Sequence, residues 1–318
     1  MSESYTTVKI FRDLNSIRQI SQPVLTIGTF DGVHKGHQKI IDQLNYEAKK
    51  INGESVLLTF DPHPRMVLYP ENHGLQLIQT QDEKLEKLER MGLQNVIIYP
   101  FTFEFSRLTA TEFIRDIIVN QLHVKKLVIG YDHQFGRNRE GSIEFLKEIA
   151  DTYSLDVIEI PAQIIEDSNV SSTKIREALR NGNIGLARSY LGDFYTLKGT
   201  VVHGNALGRT IGFPTANLNI DDATKLIPPH GVYAVQIERD GIWYDGMMNI
   251  GYRPTISNST GQTLEVHIFD FSEDLYGTML TVSFISKLRD EVKFDGVDQL
   301  KQQLKHDEET IRALFTTR

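Results

Sequence analysis

A change of rhythm part-way along the chain limits its fold more than any other feature of the sequence. Val24–Phe30, Ser55–Phe60, Asn95–Phe101, Lys126–Tyr131 and Asp156–Ile160 are short, apolar and β-branched, which suits buried strands. Amphipathic stretches separate them. From His37 to Ile51, the residues Ile40, Ile41, Leu44, Ala48 and Ile51 recur at three- and four-residue steps, one face of a helix. Thr109-Ala-Thr-Glu112 has the form of a capping box opening a helix through Leu122. Strands alternating with helices at intervals of about 30 residues predict βαβ units in a mostly parallel, doubly wound sheet.

Between Gly182 and Gly192 that rhythm stops. Tyr195–Val202, Gly231–Arg239, Ile242–Ile250, Thr263–Phe271 and Leu280–Leu288 read as short strands, with Arg239-Asp240-Gly241 as a hairpin turn. Val297–Phe315 reads as a closing helix whose apolar positions include Leu300, Leu304, Ile311 and Leu314. The expectation is a small antiparallel β-barrel with a terminal helix. The fold class is therefore α/β plus β, with residues 1–190 as one domain and 191–318 as the other, in a chain of 318 residues.

Composition narrows the function classes. Lys plus Arg is 34 against 42 for Asp plus Glu, a formal charge of −8. That balance argues against a bulk electrostatic grip on nucleic acid or anionic lipid, while leaving room for a local phosphate pocket. There is no cysteine, hence no disulfide, thiolate zinc site, Fe–S cluster or cysteine nucleophile. Met1–Gln22 is polar and unlike a signal peptide. No apolar run approaches the roughly 20 residues of a membrane helix. A cytoplasmic protein with no nucleic-acid or membrane partner is expected, and the oligomeric state is left open.

The densest local signal is Gly28-Thr-Phe30-Asp31-Gly-Val-His34-Lys-Gly36-His37, which follows the first strand and enters a helix. That is where open α/β sheets bind ligands. Glycines let backbone amides approach a phosphate, and the helix N-terminus adds free N–H groups. His34 and His37, three apart, can aim at one anion. Val170-Ser-Ser172-Thr173-Lys-Ile-Arg176 supplies hydroxyls at another helix start and a forked cation one turn in. Gly136-x-x-x-x-Gly141 is followed by Ser142, so this is no Walker A loop, and the G-x-G-x-x-G fingerprint is missing.

In the second half, Gly199-Thr-Val-Val-His203-Gly204-Asn-Ala-Leu-Gly208-Arg209-Thr-Ile-Gly212-Phe213-Pro214-Thr215-Ala-Asn217 is too glycine-rich for a helix and too long for a hairpin turn. Such a loop can wrap phosphates with main-chain donors. Thr215 and Asn217, two apart on an extended strand, point their oxygens to one face, and hard oxygens suit Mg²⁺. Leu264–Asp270 alternates, putting Glu265, His267 and Phe269 on one face and Leu264, Val266 and Ile268 on the other.

These strings resemble a known family. The Gly28–His37 stretch is similar to the H-x-G-H nucleotidyltransferases, and more narrowly to the bacterial bifunctional riboflavin kinases/FMN adenylyltransferases. Thr59-Phe-Asp61-Pro-His63-Pro, Gly130-Tyr-Asp132-His-Gln-Phe135-Gly (with His133 where that family usually has Phe) and the Val170–Arg176 segment resemble further motifs of the same module. Gly212-Phe-Pro-Thr215-Ala-Asn217, Asn249-Ile-Gly-Tyr-Arg253-Pro-Thr255 and Leu288-Arg289-Asp-Glu291-Val-Lys-Phe294 resemble the riboflavin kinase module.

The resemblance implies a Rossmann-like first domain that adenylylates FMN to FAD and a barrel that phosphorylates riboflavin to FMN, both with ATP and Mg²⁺. It implies His34, His37 and Arg176 as catalytic in the first, with Gly28, Phe30, Asp31, Gly36, Ser172 and Thr173 on the nucleotide and Asp61, His63, Asp132 and Phe135 on the flavin. In the second it implies Glu265 as base, Thr215 and Asn217 on the metal, Gly204, Gly208 and Arg209 on the nucleotide, and Arg289 and Phe294 on the flavin. Two rivals stand beside it: a nucleotidyltransferase of another substrate, and a flavin-binding protein that has lost catalysis.

Overall fold

The computed structural model describes residues 7–13, 17, 19–71, 74–131, 133–162, 170–204, 207–252 and 261–316. The chain separates into two compact units, Met1–Ser172 and Thr173–Arg318. The boundary read from sequence rhythm, near residue 190, lies one helix pair further on. Those helices are α6 (Ser172–Arg180) and α7 (Ile184–Leu191), and α7 packs on strands of the second unit.

The first unit is a six-stranded, all-parallel sheet. Its strands are β1 (Lys9–Phe11), β2 (Val24–Ile27), β3 (Ser55–Asp61), β4 (Asn95–Pro100), β5 (Lys126–Gly130) and β6 (Asp156–Ile160), in the order β1-β4-β3-β2-β5-β6. Central strands are buried on both faces, which is why they read as continuous apolar runs rather than alternating ones. Helices α1 (Lys35–Lys50) and α3 (Gln81–Arg90) cover one face through Ile41, Leu44, Leu85 and Leu88. The other face is covered by α5 (Ile143–Ala150) and by a helix that starts as α4 (Ala110–Glu112) and widens into a π-helix over Phe113–Gln121.

The Thr109/Glu112 capping box forms as the spacing implies. The π geometry is a difference from the expected α-helix: Leu122 N–H bonds the Ile117 carbonyl, five residues back. The sequence reading also passed over β1, α3 and the short α2 (Pro64–Leu68). β1 is only three residues long, and α3 carries Lys84 and Lys87 on its buried side.

The second unit is a closed antiparallel barrel. Its strands are β7 (Tyr195–Val202), β8 (Ala216–Asn219), β9 (Gly231–Arg239), β10 (Ile242–Tyr252), β11 (Gln262–Ile268) and β12 (Met279–Arg289), in the cyclic order β10-β11-β8-β7-β12-β9. Asp240 and Gly241 both have positive φ and join β9 to β10 in a two-residue hairpin, as the sequence implied. The barrel interior is apolar, with Tyr195, Tyr233, Phe284, Val266 and Met248 fully buried.

Against the expectation of a helix-free loop over Gly199–Asn217, Gly199–Val202 belong to β7 and Leu207–Thr210 form a single-turn α8; α9 (Val297–Thr316) closes the unit. A second apolar cluster joins Ile311 of α9 to Phe213, Met247, Phe269 and Ile285, with Leu300 and Leu304 packed against it. Both faces of β11 are therefore covered, one by the barrel interior and one by this cluster.

Two candidate active sites

In the first unit, chain connections leave β2 toward β3 on one face and reach β5 on the other, so the switch point of the sheet lies between β2 and β5. Ligands of doubly wound sheets bind beyond the strand ends at such a point. The Gly28–His37 loop leaves β2 there. Its backbone is unusual: Phe30, Gly32 and Val33 have φ of 49°, 88° and 37°. Left-handed backbone at the buried, non-glycine Phe30 and Val33 is costly, and strain of that kind concentrates at functional sites. A Cβ at Gly28 would lie 2.9 Å from the Phe30 ring.

His34 is the N-cap of α1; its Nδ1 accepts the His37 N–H at 3.4 Å. The His34 and His37 rings stack at 3.7 Å, and Phe30 stacks on His37 at 4.4 Å. Burial pulls the His37 pKa well down, with His34, Lys87 and Lys84 adding to it. His37 is thus neutral at neutral pH, and its buried Nδ1 has no partner among the described residues.

Asp31 is 4% exposed, and its carboxylate accepts the Ile78 and Gln79 amides at 3.0–3.2 Å, tying down the loop before α3. Ser172 Oγ donates to the Asp31 carbonyl at 2.9 Å. Lys84, which the sequence reading did not assign, donates to the Thr29 carbonyl and to Thr59 Oγ1 and joins the ends of β2 and β3. Burial pulls its pKa down to about 8, against the pull of Asp31 and Asp61.

The flavin candidates of this unit close or follow β3 and β5 in the chain. Asp61 is exposed at the end of β3, and His63 caps α2 by accepting the Arg65 N–H at 3.1 Å. Asp132 is outside the described residues. Phe135 is 8% exposed and bonds Gly141 in both directions, where a Cβ would lie 2.6 Å from its ring. An aromatic chain missed from sequence runs along the ends of β3 and β4: Phe60 to Phe101 at 5.4 Å, Phe60 to Phe105 at 5.7 Å, and Tyr99 to Phe105 at 4.7 Å. A cavity of about 690 Å³ beside β1 and β4 shares Tyr99 and Phe105 with that chain. Thr173 is exposed and Arg176 buried on α6.

In the barrel, one rung of cross-strand partners runs through six strands: Arg289–Val232–Asn249–Glu265–Asn217–Val202. Directly paired antiparallel residues project to the same side of a sheet. Five of the six, all but Val202, line a cavity of about 260 Å³ with Thr215, Phe213, His267, Met247, Phe294, Leu300 and Leu304. Two bulges in β12, at Phe284/Ser286 and Lys287/Arg289, set Arg289 opposite Val232.

Thr215 Oγ1 lies 3.4 Å from Glu265 Oε2. A Cβ at Gly204 would collide with the Asn217 amide, and one at Gly208 with the Phe213 carbonyl. Close approach of the loop to Asn217 and Thr215 therefore requires glycine at both places. Arg209 is exposed on α8.

Arg289 is held bidentately by Asp307 of α9, at 3.0 and 2.7 Å, with its guanidinium 6.0 Å from the Phe294 ring centroid. Asp307, Asn249 and His267 were not assigned from sequence. For Asn249 and His267, the period-two step from Gly251 and from Glu265 was the available signal. The Arg253–Thr255 part of the second-domain motif lies outside the described residues.

Among the described residues no helix is long and apolar enough to cross a membrane. The hydroxyl of Thr215, the amide oxygen of Asn217 and the Glu265 carboxylate form a hard-oxygen donor set, the chemistry that suits Mg²⁺ shared with substrate phosphates.

Comparison with known proteins assigns the two units. Residues 16–174 match the family model for FAD synthetase, and residues 191–315 match the model for riboflavin kinase. The bifunctional riboflavin kinase/FMN adenylyltransferase of Haemophilus influenzae is 40% identical over 98% of this chain and 100% of its own length. That of Escherichia coli K12 is 38% identical over 97% of this chain and 98% of its own. A solved structure titled a macrolide-efflux protein from Streptococcus pneumoniae superposes with a TM-score of 0.86 at 37% identity, covering 96% of this chain and 99% of that one. With an FAD synthetase unit ahead of a riboflavin kinase barrel, and relatives matched over nearly their full length, the chain belongs to the bifunctional riboflavin kinase/FMN adenylyltransferase family and makes FMN from riboflavin and FAD from FMN at the expense of ATP.

Proposed function

We propose that Glu265 is the base of the kinase step. The ribityl 5′-hydroxyl oxygen attacks the γ-phosphorus of ATP, Glu265 takes the hydroxyl proton, and the bond to the β–γ bridging oxygen breaks, releasing ADP. Thr215 and Asn217 would hold Mg²⁺, which when bound neutralises charge on the nucleotide phosphates. Gly204, Gly208 and Arg209 belong to the loop around those phosphates. Arg289, fixed by Asp307, and Phe294 flank the flavin. The observation that carries this reading is the rung bringing Asn249, Glu265 and Asn217 side by side in one cavity, with the Thr215 hydroxyl 3.4 Å from the carboxylate.

In the adenylylation step a phosphate oxygen of FMN attacks the α-phosphorus of ATP, the α–β bridge breaks and pyrophosphate leaves. No covalent enzyme intermediate is needed. His34 and His37, stacked at the N-terminus of α1, stabilise the charge on the transferring group. Gly28, Phe30, Asp31 and Gly36 shape the loop that receives the nucleotide, and Ser172 braces it through Asp31. Thr173 and Arg176 join this assignment through their motif alone. Asp61, His63, Asp132 and Phe135 are assigned to the flavin side. The Phe60–Phe101–Phe105 aromatics add a surface on which a flat ring can stack. We place both steps in the cytoplasm, a setting compatible with a chain that has no cysteine.

A chromatographic time course of the purified chain with riboflavin, ATP and Mg²⁺ tests the whole scheme. Transient FMN followed by FAD is expected. Flavin binding with no product from riboflavin or from added FMN would instead favour a non-catalytic flavin-binding protein.

A further inference from the structure

We propose that His267 is a positioning residue of the kinase site: it donates from Nδ1 to the Pro214 carbonyl and so fixes the Thr215–Asn217 segment beside Glu265. The inference rests on the reading of Thr215, Asn217 and Glu265 as the phosphoryl-transfer site.

The need for such a device follows from where β8 stops. Its ladder with β11 consists of two pairs, Glu265 with Asn217 and Val266 with Ala216. The next pair would be His267 with Thr215, and the ladder ends before it. Proline at 214 has no N–H and cannot lend a donor to extend the pairing. Upstream, the Phe213 N–H turns back to the Gly208 carbonyl, so the loop closes on itself there. The two residues between that turn and the strand would have little to hold them.

The imidazole fills that gap. Its Nδ1 lies 2.7 Å from the Pro214 carbonyl oxygen. A carbonyl only accepts, so Nδ1 carries the proton. The ring is held in turn: His267 is 9% exposed, with Phe213 and Phe269 edge-on at 5.4 and 5.8 Å and Met247 opposite it across the ladder. The bond thus replaces a ladder contact with a side-chain contact two residues from Glu265, on the same face. An outer group that orients metal-binding residues in this way is worth about 10- to 100-fold in metal affinity or activity.

Two measurements decide the matter. Imidazole ¹⁵N–¹H correlation spectra of the full chain, recorded without nucleotide or metal and assigned by the signal lost in His267→Asn, should report a protonated Nδ1. A bare Nδ1 with the proton on Nε2 overturns the proposal. The second is a Mg²⁺ titration of the kinase step. His267→Phe keeps the aromatic packing and removes the donor, so the Mg²⁺ needed for half-maximal FMN formation should rise about 10-fold or more. FAD formation from supplied FMN should be unchanged. In His267→Asn the amide nitrogen stands near the position of Nδ1 and should recover most of the loss.

An unaltered Mg²⁺ requirement in His267→Phe, or equal damage in both variants, overturns the proposal. Should His267→Phe not fold, the tautomer and His267→Asn decide, and an Asn variant as impaired as Thr215→Val counts against it. If Glu265→Gln and Thr215→Val themselves leave FMN formation intact, the underlying site reading has failed; if they abolish it while His267→Phe leaves the Mg²⁺ requirement unaltered, only the positioning role has.

Discussion

Asn217 lies directly opposite Glu265 across the β8–β11 ladder, and Thr215, two residues earlier, brings its hydroxyl to 3.4 Å from the same carboxylate. Glu265 and Asn217 are thereby fixed by backbone pairing, and Thr215 lies just beyond the end of that ladder. Glu265→Gln keeps the size and removes the basicity. FMN formation should fall by about 10²- to 10⁴-fold, while FAD is still made from supplied FMN. Separate chromatographic assays of the two steps check this.

The complementary change is His37→Ala. It removes an imidazole stacked between Phe30 and His34 at the start of α1. Adenylylation should drop by about 10²-fold or more, the usual cost of losing one preorganised donor to a developing charge. FMN should accumulate from riboflavin, because Glu265 and the barrel are untouched. A loss of both steps in a folded variant would mean that the division of labour is wrong.

Gly204→Ala tests the loop. The added methyl would occupy the space of the Asn217 amide, so one of the two must move. A displacement of about 1 Å at a reacting centre can cost about 10²-fold. The kinase step should fall by that order and adenylylation should not. Far-ultraviolet circular dichroism with both activity assays distinguishes this from unfolding.

Lys84 makes a pH prediction. Its pKa is about 8 in the folded chain against 10.5 for the free side chain. Because the folded value is the lower one, between these two pH values the unfolded chain binds more protons, and stability rises with pH through the interval. At about 1.36 kcal/mol per pKa unit, the rise attributable to Lys84 is about 3 kcal/mol. Lys84→Met cannot take up the proton. The denaturant midpoint of the first unit should therefore gain less in the variant than in the wild type on going from neutral to alkaline pH.

Much of this architecture is legible in sequence because it is periodic. The βαβ rhythm predicts the parallel sheet, and the two-residue steps from Thr215 to Asn217 and from Glu265 to His267 correctly put each pair on one face. What periodicity does not carry is which strand lies opposite which residue. The rung that joins Arg289 to Asn249 depends on two bulges in β12, each a local insertion without a sequence signature of its own. Asp31 looks like a ligand for a nucleotide, yet its carboxylate holds amides 47 and 48 residues away, a distance over which local pattern says nothing. The aromatic chain of Phe60, Tyr99, Phe101 and Phe105 is similarly assembled from neighbouring strand ends.

The two-sided burial of β11 has a hereditary consequence. Val266 points into the barrel while Glu265 and His267 point into the cavity, so the strand is read in steps of two. A one-residue slip of β11 would exchange the two faces, driving a carboxylate into an apolar interior and turning valine into the cavity. Two inserted residues would restore the facing. Length changes in this strand are therefore constrained by parity: a single added codon there must be taken up by a bulge, as β12 takes up two, or the faces exchange.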